Sequence, residues 1–154
     1  GAFIVNAARG GVVDEVALIN AIESGKFVID MSSIVVSDIP VEKEGNAKLS
    51  RHLKSADFFD AAKFSTISFK SNSIKKVADR KYKLTGELTM HGVTKLVTLD
   101  GTLNGVSTNK AGKKIAGFKF TGTLNRTAFG VGSMPAAVVG EEIELKANGE
   151  FVQN

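Results

Sequence analysis

Tyr82-Lys83-Leu84-Thr85-Gly86-Glu87-Leu88-Thr89-Met90 alternates without a break. Tyr82, Leu84, Leu88 and Met90 fall with Gly86 on one side of an extended chain, and Lys83, Thr85, Glu87 and Thr89 on the other. Strand side chains point to opposite faces in turn, so this is a strand with one face buried and one in water. The pattern recurs downstream. Val97, Leu99 and Leu103 alternate with Thr98, Asp100 and Thr102, and Phe118 and Phe120 with Lys119 and Thr121. Ile143, Leu145 and Ala147 alternate with Glu142, Glu144 and Lys146. Upstream, Thr66-Ile67-Ser68-Phe69-Lys70 alternates, and Phe27-Val28-Ile29-Asp30-Met31 begins another strand. Turn chemistry separates the runs at Asp79-Arg80, His91-Gly92 and residues 109–113, with Asn104-Gly105 read as a longer hairpin loop. Such spacing predicts a mainly β fold: one antiparallel sheet that curls into a barrel or splits into a sandwich.

The 154 residues are enough for one domain with a real core. The chain has no cysteine, which excludes disulfides, thiol catalysis and cysteine-ligated metals. Two histidines, His52 and His91, are too few for a histidine metal centre, and no cofactor or metal is expected. The net charge of +4 is compatible with an acidic surface without indicating one. No run of about 18 apolar residues is present to span a bilayer as a helix. No signal peptide is read in a chain that opens with Gly1.

Residues 1–25 have a different texture. Ala2-Phe3-Ile4-Val5-Asn6 reads as a strand, Ala8-Arg9-Gly10-Gly11 as a turn and residues 12–23 as a helix that Ser24-Gly25 ends. Beyond the Phe27 strand, Asn46 is expected to cap a short helix through Leu49 and Leu53. Ser55 is expected to cap a second helical turn through Asp60.

Catalytic signals are weak. His91, at a strand end, has no visible carboxylate to orient it and reads as a turn histidine bonded to local backbone. His52, beside Arg51 and Lys54, reads as part of a solvated face, and Asp57 and Asp60 as turn and helix-start residues. Gly130-Val131-Gly132 lacks the strand and helix of a nucleotide loop. The pairs Lys75-Lys76 and Lys113-Lys114 lack interleaved exposed aromatics, so no nucleic-acid partner is expected. Asn125-Arg126-Thr127 matches a glycosylation acceptor pattern that arises often by chance. The inward set is rich in phenylalanine, ten against one tyrosine. It suits either a packed core or an apolar cavity, and periodicity does not separate the two.

Several ordered stretches resemble the YceI-like family of polyisoprenoid-binding, lipocalin-like barrels. They are His52-Leu53-Lys54-Ser55-Ala56-Asp57-Phe58-Phe59-Asp60, Lys63-Phe64-Ser65-Thr66-Ile67-Ser68-Phe69 and residues 84–95 with their His91-Gly92-Val93-Thr94 turn. Leu124-Asn125-Arg126-Thr127-Ala128-Phe129-Gly130-Val131-Gly132 and Val139-Gly140-Glu141-Glu142-Ile143-Glu144-Leu145 follow. Ser65 and Leu96 replace prolines usual in the family, and Ala128 a common aspartate. The resemblance covers residues 26–154. It implies an antiparallel barrel of about eight strands with a short helix across one side. It also implies a periplasmic or secreted protein without enzymatic activity, whose cavity holds a polyisoprenoid, an isoprenoid quinone or a fatty acyl chain for transport or storage. The wall residues expected are Phe27, Ile29, Met31, Phe69, Leu84, Leu88, Met90, Val97, Leu99, Phe118 and Phe120, with Phe58 and Phe59 near a mouth. His91 and Arg126 are the first polar positions to test for a head-group role.

Residues 4–18 are similar to a segment of the D-2-hydroxyacid dehydrogenases, where Arg9 matches a substrate-binding arginine. No dinucleotide glycine loop accompanies it, so no hydride transfer is expected. The chain reads as a chimera with a seam near Gly25, or the likeness is chance. As a chimera, residues 1–25 are a strand–turn–helix segment and not an independent domain, and the barrel lacks its first strands. An incomplete barrel exposes edges that residues 2–6 or a second copy would cover, which favours a homodimer. The alternative function is a structural or interaction domain whose tunnel was lost with those strands.

Overall fold

A computed structural model describes residues 2–7, 26–31, 43–137 and 139–152. For residues 2–7, 26–27, 29–30 and 151–152 it describes the backbone alone. The expected helix over residues 12–23, and Arg9, lie outside the described residues.

Among the described residues, seven strands form one sheet. They are β1 (Ala2–Ala7), β2 (Lys26–Asp30), β3 (Thr66–Ala78), β4 (Lys81–Met90), β5 (Val93–Thr108), β6 (Lys114–Asn125) and β7 (Glu142–Val152). Their order across the sheet is β1-β7-β6-β5-β4-β3-β2. From β2 to β7 every pair is antiparallel. β1 departs from the antiparallel expectation: it runs parallel to β7, Ala2 opposite Glu144 and Ala7 opposite Gly149. The sheet curls until its two edge strands, β1 and β2, come within 8 Å of one another between Cα atoms. No ladder joins them among the described residues, so the sheet is barrel-like but not closed.

The alternation at Tyr82–Met90 is realised residue by residue. Tyr82, Leu84, Gly86, Leu88 and Met90 are buried, and Lys83 and Glu87 are exposed. The outer face is held by cross-strand pairs: Thr85 with Thr98 at 3.0 Å, Thr89 with Thr94 at 2.7 Å, and a Lys83–Asp100 ion pair. The inner face contributes to a single apolar cluster that runs from Met31 to Ala147.

Two strands are longer than their alternation. β3 continues past Lys70 through the polar run Ser71-Asn72-Ser73, where a register shift absorbs one residue and restores Ile74 to the inner face. β5 runs straight through Asn104-Gly105, with another shift between Leu103 and Gly105. The expected hairpin loop there is a bulge. The chain turns at residues 109–113, as expected, where the side-chain oxygen of Asn109 accepts from the N–H groups of Ala111 at 3.0 Å and Lys113 at 2.9 Å.

The one helix described, α1 (Glu44–Lys54), starts before Asn46. Asn46 sits in the first turn, buried, and its Oδ1 accepts from Ser50 at 3.4 Å. Glu44 in the first turn and Arg51 and Lys54 in the last complement the helix dipole. Ser55 closes α1, its hydroxyl donating back to the carbonyl of His52 at 2.7 Å, while its own carbonyl accepts from the N–H groups of Phe58 at 3.1 Å and Asp60 at 2.8 Å in the turn that follows.

Candidate functional site: the barrel interior and its plug

The antiparallel order gathers the ends of β2, β4 and β6 and the starts of β3, β5 and β7 at one end of the barrel. Two loops plug that end. The first, residues 55–64, folds on α1, with Phe59 N–H donating to the carbonyl of Leu53 at 3.0 Å and Ala61 N–H to that of Lys54 at 3.0 Å. The second, residues 126–141, contains a one-turn 3-10 helix, Thr127–Phe129. The loops meet where Gly132 N–H donates to the carbonyl of Phe58 at 3.3 Å.

Arg126 organises the second loop. It is 1% exposed. Its Nε donates to the carbonyl of Gly140 at 2.9 Å. Nη1 donates to Val131 at 2.9 Å and Gly132 at 3.0 Å, and Nη2 to Met134 at 2.7 Å and Val139 at 2.8 Å. A guanidinium has five N–H donors, and five backbone carbonyls take them all. The charge is solvated by peptide dipoles of its own loop. Arg126 therefore has no donor left for a ligand head group and acts as a structural knot.

His91 is at the same end, in the β4–β5 turn. Its φ of 53° is left-handed, as is that of Gly92 at 74°. Its ring lies 4.5 Å from the ring of Phe64, tilted by 56°. The histidine thus locks the turn to the plug through a ring contact, where a bond to local backbone was expected.

Of the thirteen expected wall residues, Phe69, Leu84, Leu88, Met90, Leu99, Phe118 and Phe120 share the inner face and are 1–4% exposed. Met31 is equally buried, and Val97 is partly buried against the same cluster. Phe58 and Phe59, expected near a mouth, are buried in the plug with their rings 5.1 Å apart. The side chains of Phe27 and Ile29 lie outside those described. Phe118 stacks on Phe120 at 5.7 Å and meets Tyr82 edge-on at 5.6 Å. These three rings pack against one another on the inner face. A tunnel wide enough for an alkyl chain would leave accessible area on its walls, and at these positions almost none is present.

One inner-face polar group escaped the reading of the sequence. Ser71 is buried beside Phe69, and its hydroxyl has no hydrogen-bond partner among the described residues. Its signal, a serine at an inward position, was hidden because the bulge interrupts the alternation there.

Residues 5–151 match the YceI-like domain family. The chain belongs to that family. The match begins inside the stretch that resembles the dehydrogenases, so most of residues 1–25 fall within it. Among its relatives, a UPF0312 protein of Pseudomonas putida is 35% identical over 131 residues, covering 81% of this chain and 68% of the relative. A crystal structure of the Campylobacter jejuni YceI protein superposes with a TM-score of 0.71 at 28% identity, over 84% of this chain and 71% of that one. That of Burkholderia cenocepacia BcnA gives 0.63 at 27% identity, over 79% and 69%. The YceI-like chain thus shares the fold of these proteins.

Proposed function

We propose that this YceI-like chain is a non-enzymatic binding protein that takes one apolar chain (a polyisoprenoid, an isoprenoid quinone or a fatty acyl group) into its barrel, for transport or storage. The observation that carries the reading is the continuous apolar inner face of a curled sheet in a member of this family. Burying each CH₂ group contributes roughly 0.8 kcal/mol, so a few isoprene units anchor a ligand. Ser71 offers the ligand one hydrogen-bonding group on the inner wall. The family resemblance supports a location in the periplasm or outside the cell. We take residues 1–25 to belong with the barrel and not to form a separate domain, because β1, residues 2–7, pairs as an edge strand of the same sheet. The gap between β1 and β2 offers a second copy an edge to pair with, giving a homodimer.

A second reading has its own support. The burial of the inner face favours a structural or interaction domain without a working tunnel. Native mass spectrometry of the purified protein, followed by solvent extraction, decides between them and gives the oligomeric state. An added mass that extracts as an isoprenoid or acyl chain supports binding. A mass that stays that of the bare chain after incubation with isoprenoids leaves the second reading.

A further inference from the structure

The end of the barrel opposite the plug carries a concentration of positive charge. The β3–β4 turn and the β5–β6 loop both lie there. Leu103 N–H donates to the carbonyl of Arg80 at 2.9 Å, which fixes the β3–β4 turn against the middle of β5. The β5–β6 ladder runs on past that point, through Val106 opposite Ala116 to Thr108 opposite Lys114. From Leu103 to Thr108 this overhang is roughly 17 Å at the rise of a strand.

Lys75, Lys76, Lys81, Lys110, Lys113 and Lys114 are all exposed around this end. Between residues 74 and 82 the one carboxylate is Asp79, and between residues 103 and 116 there is none. Glu150 stands on β7 opposite Gly117, and the sequence that joins the end of β1 to the start of β2, both directed to this end, carries Asp14, Glu15 and Glu23 with Arg9. The Arg80 guanidinium is tied to the carbonyls of Leu103 and Asn104. At the plugged end the charges are mixed: Glu44, Asp57, Asp60, Glu141 and Glu142 are interspersed with Lys43, Lys48, Arg51, Lys54, Lys63 and Lys95. Two large apolar side chains stand among the lysines of the overhanging end, Val77 at 57% and Val106 at 60% exposure.

We propose that this basic end is a docking surface for an anionic lipid bilayer, with Val106 and Val77 entering the headgroup layer. Each lysine held near an anionic leaflet contributes about 1 kcal/mol, and apolar side chains at the contact add burial that salt does not screen. A single-stranded nucleic acid would use the same charges together with exposed aromatic rings on which its bases stack. Among the described side chains on the strands of this end, Tyr82, Phe118 and Phe120 are buried. The proposal stands whether or not the interior takes a chain, so its failure and that of the binding reading are told apart.

The test is co-sedimentation of the full chain with vesicles of equimolar phosphatidylglycerol and phosphatidylcholine, against phosphatidylcholine alone. Binding is expected to the anionic vesicles only and to weaken as salt rises. K110E/K113E is expected to weaken it about 25-fold or more. K48E/K95E, with the same charge change on α1 and at the start of β5, is expected to leave it within twofold. V106S is expected to weaken it about fivefold. Thermal midpoints of all variants check that each is folded, and the salt dependence of the unmodified chain needs no variant. The proposal is overturned by equal loss in the two charge-reversed pairs, by an unchanged V106S, or by no vesicle binding at low salt. Binding to single-stranded RNA in place of the vesicles also overturns it.

Discussion

The ring of Phe69 on β3 lies over the bare backbone of Gly86 on β4. A Cβ at residue 86 would come under 3.0 Å from both Phe69 Cζ and the carbonyl oxygen of Lys70, closer than real Cβ contacts. The arrangement recurs at Gly101, where a Cβ would meet Phe120 Cε1 at 2.9 Å. A glycine beneath a ring lets neighbouring strands close up on the inner side, which suits a sheet that must curl.

Gly86→Ala is therefore expected to destabilise the protein by about 2–3 kcal/mol, because one of the two obstacles is backbone and does not move aside. Gly105→Ala is the control: nothing lies within 4 Å of a Cβ there. It is expected to be neutral or to stabilise by about 0.5 kcal/mol through the unfolded chain. Urea unfolding of the two variants checks the contrast, and equal effects would contradict the packing described.

Arg126→Met removes all five donors of the knot and leaves their carbonyls to find other partners. A loss of about 3–5 kcal/mol is expected. Arg126→Lys keeps the charge but not the fork, and is expected to lose more than about 2 kcal/mol. If lysine restores full stability in denaturant titration, charge and not geometry holds the loop.

Ser71→Ala is expected to raise stability by about 1 kcal/mol, since it removes a buried hydroxyl that lacks a partner. A calorimetric midpoint that falls by several degrees would show that the hydroxyl is satisfied in solution.

His91 and Phe64 should be energetically coupled. A double-mutant cycle with His91→Gly and Phe64→Ala is expected to give about 0.5–1.5 kcal/mol of interaction. Glycine is the partner of choice because the left-handed φ at residue 91 strains other replacements. A coupling indistinguishable from zero would mean that the rings meet without holding the turn to the plug.

The strands were legible wherever alternation ran unbroken, as from Tyr82 to Met90. They were lost where a bulge shifts the register: Ser71-Asn72-Ser73 concealed half of β3, and Asn104-Gly105 looked like a hairpin loop. The inner-face residues were legible too, because inward position follows directly from a period of two. Whether they enclose space was not, since core and cavity draw on the same residue types and only burial separates them. The role of Arg126 was out of reach for another reason. Its partners are main-chain carbonyls of residues up to Gly140, and carbonyls carry no side-chain signature in a sequence.

The parallel pairing of β1 with β7 also orders events in time. A chain synthesised from its amino end makes β1 early and β7 late, with the whole meander between them. β1 has no ladder to join until β7 has been laid against β6, so its docking closes the longest loop in the fold and comes last. Until then the nascent chain carries an unsatisfied strand that is open to the wrong partner.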